Sequence, residues 1–208
     1  MKIALDLEDV LVDTNNVFVK EANSFIAREF PESQKTISMN EVEWGMKKTQ
    51  RKFADLMGWK SDIRQKFFHG EGKWKGYIPL TQEVWEEKPE TIPPMEESLE
   101  EKVEKIKSAS NGEIDLVTAR KHVRTPIKNK IESLGLKDSF REIIVKTYKE
   151  ELDYDIYIDD NPTLSDRLDK DRIQLVRERP WNNNYQLKKP HRRVSNLDEA
   201  RQVVKNVE

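Results

Sequence analysis

Residues 1–14 read Met1-Lys2-Ile3-Ala4-Leu5-Asp6-Leu7-Glu8-Asp9-Val10-Leu11-Val12-Asp13-Thr14. Ile3-Ala4-Leu5 is a short apolar run that stops at a carboxylate, Asp6. Two later stretches repeat this layout. Ile114-Asp115-Leu116-Val117 stops at Thr118, and Asp155-Ile156-Tyr157-Ile158 stops at Asp159 and Asp160. Short β-branched runs of this kind suit strands covered on both faces, as inside a parallel sheet. Glu142 to Val145 and Ile173 to Val176 are two further strand candidates.

Helical signals separate the strands. Leu99, Val103 and Ile106 form one apolar stripe over Ser98 to Ser108. Thr125-Pro126 offers an N-cap followed by proline at the first helical position. Ile127, Ile131 and Leu134 continue that stripe, and Gly135 suits its stop. Thr147-Tyr148-Lys149-Glu150 matches a capping box, which predicts Lys149 in a first helical turn. Asn196 followed by Leu197 to Val204 predicts a closing helix. Strand and helix thus alternate from about residue 94 onward, the pattern of an α/β fold with a doubly wound, Rossmann-like parallel sheet.

Residues 15–93 do not alternate. They read as several amphipathic helices with loops near Pro31, Gly58 and Gly70 to Gly76, ending at Pro93-Pro94. Trp44, Trp59, Trp74 and Trp85 fall here, and each is read as core before ligand contact. The expected organisation is a core of 1–14 and 94–208, with a mostly helical cap of 15–93 inserted after the first strand.

Charged residues make up 37% of the 208, against roughly 25% in typical globular chains. The two signs nearly cancel, to a net charge of −2, and apolar clusters recur, so the composition is not that of a disordered chain. So small a net charge gives no whole-protein field favouring nucleic acid or anionic membrane. The absence of cysteine excludes disulfides and thiolate zinc sites. No apolar stretch approaches the ~20 residues that span a bilayer. The N-terminus enters a strand without the layout of a secretion signal. A cytoplasmic monomer or homodimer is the expectation. Lys188-Lys189 and Arg192-Arg193 read as a solvated face, since no aromatic interleaving marks a nucleic-acid surface. His69, His122 and His191 show no metal-ligand spacing.

In an open α/β sheet, ligands bind outside the carboxyl ends of the strands. Asp6, Asp159 and Asp160 would converge there with Glu8, Thr118 and a nearby lysine. Hard oxygen donors of this kind suit Mg²⁺. The metal would let an anionic carboxylate approach an anionic phosphate, while the lysine and the threonine hydroxyl hold phosphoryl oxygens.

The motifs, taken together, resemble a known family. Asp6 to Thr14 is similar to the first motif of haloacid dehalogenase-type phosphatases. Asp115-Leu116-Val117-Thr118-Ala119-Arg120 is similar to the second, and Ile156 to Pro162 to the fourth, acidic motif. The resemblance covers the core segments. It implies that Asp6 attacks phosphorus and forms an aspartyl-phosphate. It also implies Mg²⁺ held by Asp6, the backbone carbonyl of Glu8 and Asp160, with Asp159 ligating or acting one step behind. Thr118 would bond the phosphoryl group. Lys149, ten residues before Asp159, would be the third motif's cation, with Lys146 as the alternative.

The chain departs from the pattern at Glu8, where the family carries aspartate. That position protonates the leaving oxygen and then activates water, so one added methylene bears directly on turnover. A catalytically weak, nucleotide-binding relative is the reading this substitution motivates. Arg179-Pro180-Trp181-Asn182 and Arg192-Arg193-Val194-Ser195-Asn196 are most similar to the 5'(3')-deoxyribonucleotidase branch, which implies a nucleoside monophosphate as substrate. Phe67, Phe68 and Trp74 are the cap aromatics placed to stack on a base, and Arg120 either contacts substrate or covers the rim. A phosphatase for sugar phosphates or another small metabolite is the enzymatic alternative.

Overall fold

The three apolar runs form neighbouring strands. In the computed structural model, which describes residues 1–44, 46–59, 83–120 and 124–207, the strands are β1 (Ile3–Leu5), β2 (Ile114–Thr118), β3 (Ile143–Val145), β4 (Ile156–Asp159), β5 (Ile173–Arg177) and β6 (Arg192–Val194). They make one sheet in the order β3-β2-β1-β4-β5-β6, parallel throughout. This is the expected α/β class. Every residue of β1, β2 and β4 is buried, which is why these strands read as continuous apolar runs and not as alternating ones. The chain leaves β1 toward β2 and β3, then returns to the other side of β1 for β4, β5 and β6. The carboxyl ends of β1 and β4 therefore flank the point where strand order reverses, the usual place for a ligand crevice.

The chain divides into two compact units, Met1–Asp13 with Pro93–Glu208, and Thr14–Ile92. The second holds α1 (Thr14–Glu29) and α2 (Met46–Met57). Val17, Phe18, Ala22, Phe25 and Ile26 make the buried face of α1, at helical spacing. The Asn23 carboxamide both donates to and accepts from the backbone of Ile37, at 2.7 Å each, which pins the following loop to the helix. Trp85 and Phe53 are fully buried, so Trp85 packs as core, while Trp59 is half-buried with its ring 5.4 Å from that of Phe30. Phe67, Phe68 and Trp74 lie outside the described residues.

In the first unit, α3 (Leu99–Ala109) buries its predicted stripe of Leu99, Val103 and Ile106. α4 (Arg124–Ser133) begins one residue before Thr125, which places Thr125 and Pro126 inside the first turn and corrects the expected cap. Its end follows the expected stop. Gly135 has φ +74°, and the amides of Gly135 and Leu136 return to the carbonyls of Glu132 and Ile131, closing the last turn. Asn196 caps α5 (Leu197–Lys205) by accepting from the Glu199 amide at 2.8 Å. No helix among the described residues is long and apolar enough to cross a membrane.

One further expectation fails. The capping box at Thr147 does not form, and Lys149–Glu151 is a single 3-10 turn without a side-chain cap. Leu152 and Tyr154 must reach the core before β4 starts at Ile156, so the chain has no length for a helix there. Lys188, Lys189 and Arg192 are exposed, as a solvated face requires, while Arg193, in edge strand β6, is half-buried and donates to the carbonyls of Asn182 and Tyr185. The same edge places His191 where its Nδ1 accepts from the Gln174 amide at 3.1 Å. Burial holds this imidazole below the usual histidine range. The unfolded chain thus binds the proton more readily, and stability falls as pH drops through about 6.5. His191→Asn should flatten that part of the dependence, measured by urea unfolding between pH 5 and 7.5; an unchanged profile would contradict it.

Candidate active site

Register decides which acids meet. Leu5 pairs with Ile158, so the next residues, Asp6 and Asp159, stand side by side on adjacent parallel strands. The Asp6 amide extends the ladder by donating to the Ile158 carbonyl at 2.9 Å. Residues at one level of neighbouring strands point to the same face, so the two carboxylates are forced together. Asp160 follows as the strand ends and the chain bends. Carboxylate oxygens of Asp6, Asp159 and Asp160 all lie within 4.8 Å of one another, and all three residues are buried.

Lys149 is the cation set against this cluster. Its Nζ lies 2.8 Å from Asp6 Oδ1 and 2.6 Å from Asp159 Oδ2. The Leu7 amide donates to Asp6 Oδ1 at 2.8 Å, so two donors converge on one oxygen and hold the side chain in one orientation. Asp159 Oδ1 accepts from the Asn161 amide at 2.8 Å. Lys146 points elsewhere, its Nζ 2.5 Å from Glu151 Oε2. Although burial alone would discharge the Lys149 ammonium, its two carboxylate partners outweigh that effect and raise its pKa. Burial pushes the Asp6 carboxyl up to about 7, against the opposing pull of Lys149 and with help from Asp159 and Glu8. Asp160 is raised well above the carboxylate range by burial and by the charges of Asp9, Asp159 and Asp6.

Three clustered carboxylates face one ammonium, so burial drives Asp6 and Asp160 toward their protonated forms unless a further cation joins them. The donors are hard oxygens at the mouth of a sheet, a set that suits Mg²⁺. Among the described residues the fit is therefore good.

Around this centre the structure places the remaining candidates. Thr118 ends β2, fully buried, with its hydroxyl accepting from the Arg120 amide at 3.3 Å. The Glu8 carboxylate is engaged by Arg120, whose Nε and Nη2 donate to Oε1 at 2.9 and 2.5 Å. Asp115, although part of the second motif, belongs to a different network. It accepts from Arg141, the Glu142 amide and the Tyr154 hydroxyl, and so serves structure.

Sequence reasoning gave Arg179, Trp181 and Asn182 no place in the site, yet Trp181 and Asn182 bond Asp160 and Arg179 backs the Trp181 ring. The Trp181 indole N–H donates to Asp160 Oδ2 at 2.8 Å. The Asn182 carboxamide donates to the carbonyls of Asp160 and Arg177 at 2.9 and 2.7 Å. The Arg179 guanidinium lies 5.0 Å over the Trp181 ring and 3.0 Å from Asp13. The signal was an indole and a carboxamide following an acidic motif, but chain order alone does not say what they touch.

No family model and no curated protein matches the sequence. Solved structures do match in fold. A haloacid dehalogenase-like family hydrolase from Streptococcus pneumoniae superposes with a TM-score of 0.62 at 12% identity, covering 100% of this chain and 98% of its own. A HAD family hydrolase from Deinococcus radiodurans, with bound phosphate and sodium, gives 0.62 at 11% identity over 99% and 95%. A predicted phosphatase from Clostridium acetobutylicum gives 0.61 at 13% identity over 99% and 98%. The chain therefore has the fold of the haloacid dehalogenase-like hydrolases.

Proposed function

We propose that this chain is a Mg²⁺-dependent phosphohydrolase that cleaves a small phosphate monoester through a phosphoryl group carried on Asp6. The observation that carries the reading is the buried Asp6–Asp159–Asp160 cluster, with Lys149 between two of its members, at the carboxyl ends of β1 and β4. Neighbours in fold that are described as hydrolases and a phosphatase support it.

Asp6, Asp160 and the backbone carbonyl of Glu8 would hold Mg²⁺, with Asp159 beside them. Bound there, the ion would neutralise charge so that a carboxylate can approach a phosphate. Asp6 attacks phosphorus as the ester oxygen leaves with a proton from Glu8. Glu8 then takes a proton from the water that attacks the aspartyl-phosphate, releasing phosphate and restoring Asp6. Lys149 keeps Asp6 oriented and offsets charge on the transferring group, and the Thr118 hydroxyl bonds a phosphoryl oxygen.

A second reading, a weak relative that mainly binds nucleotide, is favoured by the Glu8–Arg120 ion pair, which occupies the carboxylate needed as acid. Hydrolysis of p-nitrophenyl phosphate with and without Mg²⁺ separates the two, because only the first gives metal-dependent turnover. Arg120→Ala refines the test. If Arg120 aims Glu8, kcat falls about tenfold with a smaller change in KM; a rise in kcat would mean that Arg120 withholds the acid.

For the substrate, we infer a nucleoside monophosphate, supported by the similarity of the segments around Trp181 and Arg193 to the deoxyribonucleotidase branch. Phe67, Phe68 and Trp74 are the aromatics proposed to stack on the base. A panel of phosphate esters tests this, and sugar phosphates cleaved far faster than every nucleotide would overturn it.

A further inference from the structure

Asp6 and Asp159 share Lys149, whereas Asp160 takes its partners from the segment that follows β5. One oxygen accepts from the Trp181 indole at 2.8 Å, and its backbone carbonyl accepts from Asn182 at 2.9 Å. Trp181 is itself 9% exposed, and Arg179 covers its ring at 5.0 Å. Arg179 in turn reaches Asp13 at 3.0 Å and Asp9 at 3.6 Å, both in the loop that follows the proposed nucleophile. That loop is a tight backbone turn, with the amides of Leu11 and Val12 both donating to the Leu7 carbonyl and Asp9 at φ +57°. Asn182 also takes the Arg179 amide on its side-chain oxygen at 3.0 Å, and Arg193 from edge strand β6 adds a further bond there. The four residues from Arg179 to Asn182 thus form one brace between the turn after β1 and the end of β4.

We propose that Trp181, backed by Arg179, is a positioning residue for a divalent cation, fixing the Asp160 carboxylate so that its second oxygen keeps one orientation toward Asp6 and Asp159. The inference rests on the metal site proposed above. A carboxylate with one oxygen committed to an indole cannot rotate freely, so the entropy of ordering it is already lost before the cation arrives. Partners that orient metal ligands in this way change metal affinity by about 10–100-fold when removed. Phenylalanine at 181 keeps the ring under Arg179 but has no N–H to give.

The test is calorimetric titration of the full chain with MgCl₂, without substrate, on wild type and Trp181→Phe, each checked for folding by circular dichroism. The expected result is binding by the wild type and about tenfold weaker binding by the variant. Equal affinities would overturn the positioning role. No binding by the wild type would instead overturn the metal site itself, so the two failures are distinct. Should Trp181→Phe fail to fold, the indole N–H signals of ¹⁵N-tryptophan-labelled wild type supply the readout, with Trp181 assigned by replacing the other tryptophans in turn. Its N–H must be protected from exchange and must shift on addition of Mg²⁺; an exchanging or unmoved signal overturns the proposal.

Discussion

Asp6→Asn is expected to abolish phosphate-ester hydrolysis, with a loss on the order of 10⁴-fold or more in kcat, as when a nucleophile is removed from a covalent mechanism. The fold should survive. The carboxamide oxygen can still accept from the Leu7 amide and from Lys149, the two donors that meet on Oδ1 in the native chain. Stability without metal should not fall and is expected to rise. Burial already lifts the Asp6 carboxyl to about 7, so between its ordinary range and that value the folded chain holds a proton the unfolded chain releases. Ionising Asp6 therefore weakens the folded state as pH rises toward 7, and a neutral amide removes that cost. Kinetics together with thermal unfolding in chelator check both halves. Substantial residual turnover would remove Asp6 as nucleophile, and a collapsed fold would show that its charge is structural.

Lys149→Met carries the second large effect. The ammonium is buried between Asp6 and Asp159, so its loss leaves two carboxylates pressed together by strand register with no partner. Breaking a buried ion pair on one side costs about 3–5 kcal/mol, most of it the unpaired charge that remains. That cost should appear as a lower urea midpoint in chelator. Mg²⁺ should restore part of it, since a bound cation supplies the missing countercharge and ligand binding stabilises by mass action. Turnover should fall by about 10²–10³-fold even with metal present, because the charge on the transferring group is then less well offset. A variant as stable as wild type in chelator would contradict the electrostatic account of the cluster.

The same residues show what a sequence can and cannot disclose. β1, β2 and β4 were legible because burial on both faces leaves an apolar run with nothing to mimic it, and each run ends in the polar residue that faces the crevice. Parallel strands alone put Asp6, Asp159 and Asp160 at one edge of the sheet, and the pairing of β1 with β4 brings them together. Edge strand β6 was not legible, since only Val194 of its three residues is buried and an edge tolerates charge. The 3-10 turn at Lys149 was misread as a helix start because a capping box is a local signal, whereas the short path from Glu151 to β4 is a tertiary constraint. The contacts that refine the site are non-local. Glu8 and Arg120 are 112 residues apart, and Trp181 and Asp160 are 21 apart, with no spacing rule to link them.

The central claim is a phosphoryl group on Asp6. It is tested most directly by acid-quenching the enzyme during turnover of a phosphate ester with Mg²⁺, digesting it, and locating any added phosphoryl mass by tandem mass spectrometry. The account predicts that mass on Asp6 of the N-terminal peptide, and its absence from Asp6→Asn. Turnover with no phosphorylated peptide, or with the phosphoryl group on another residue, would contradict it.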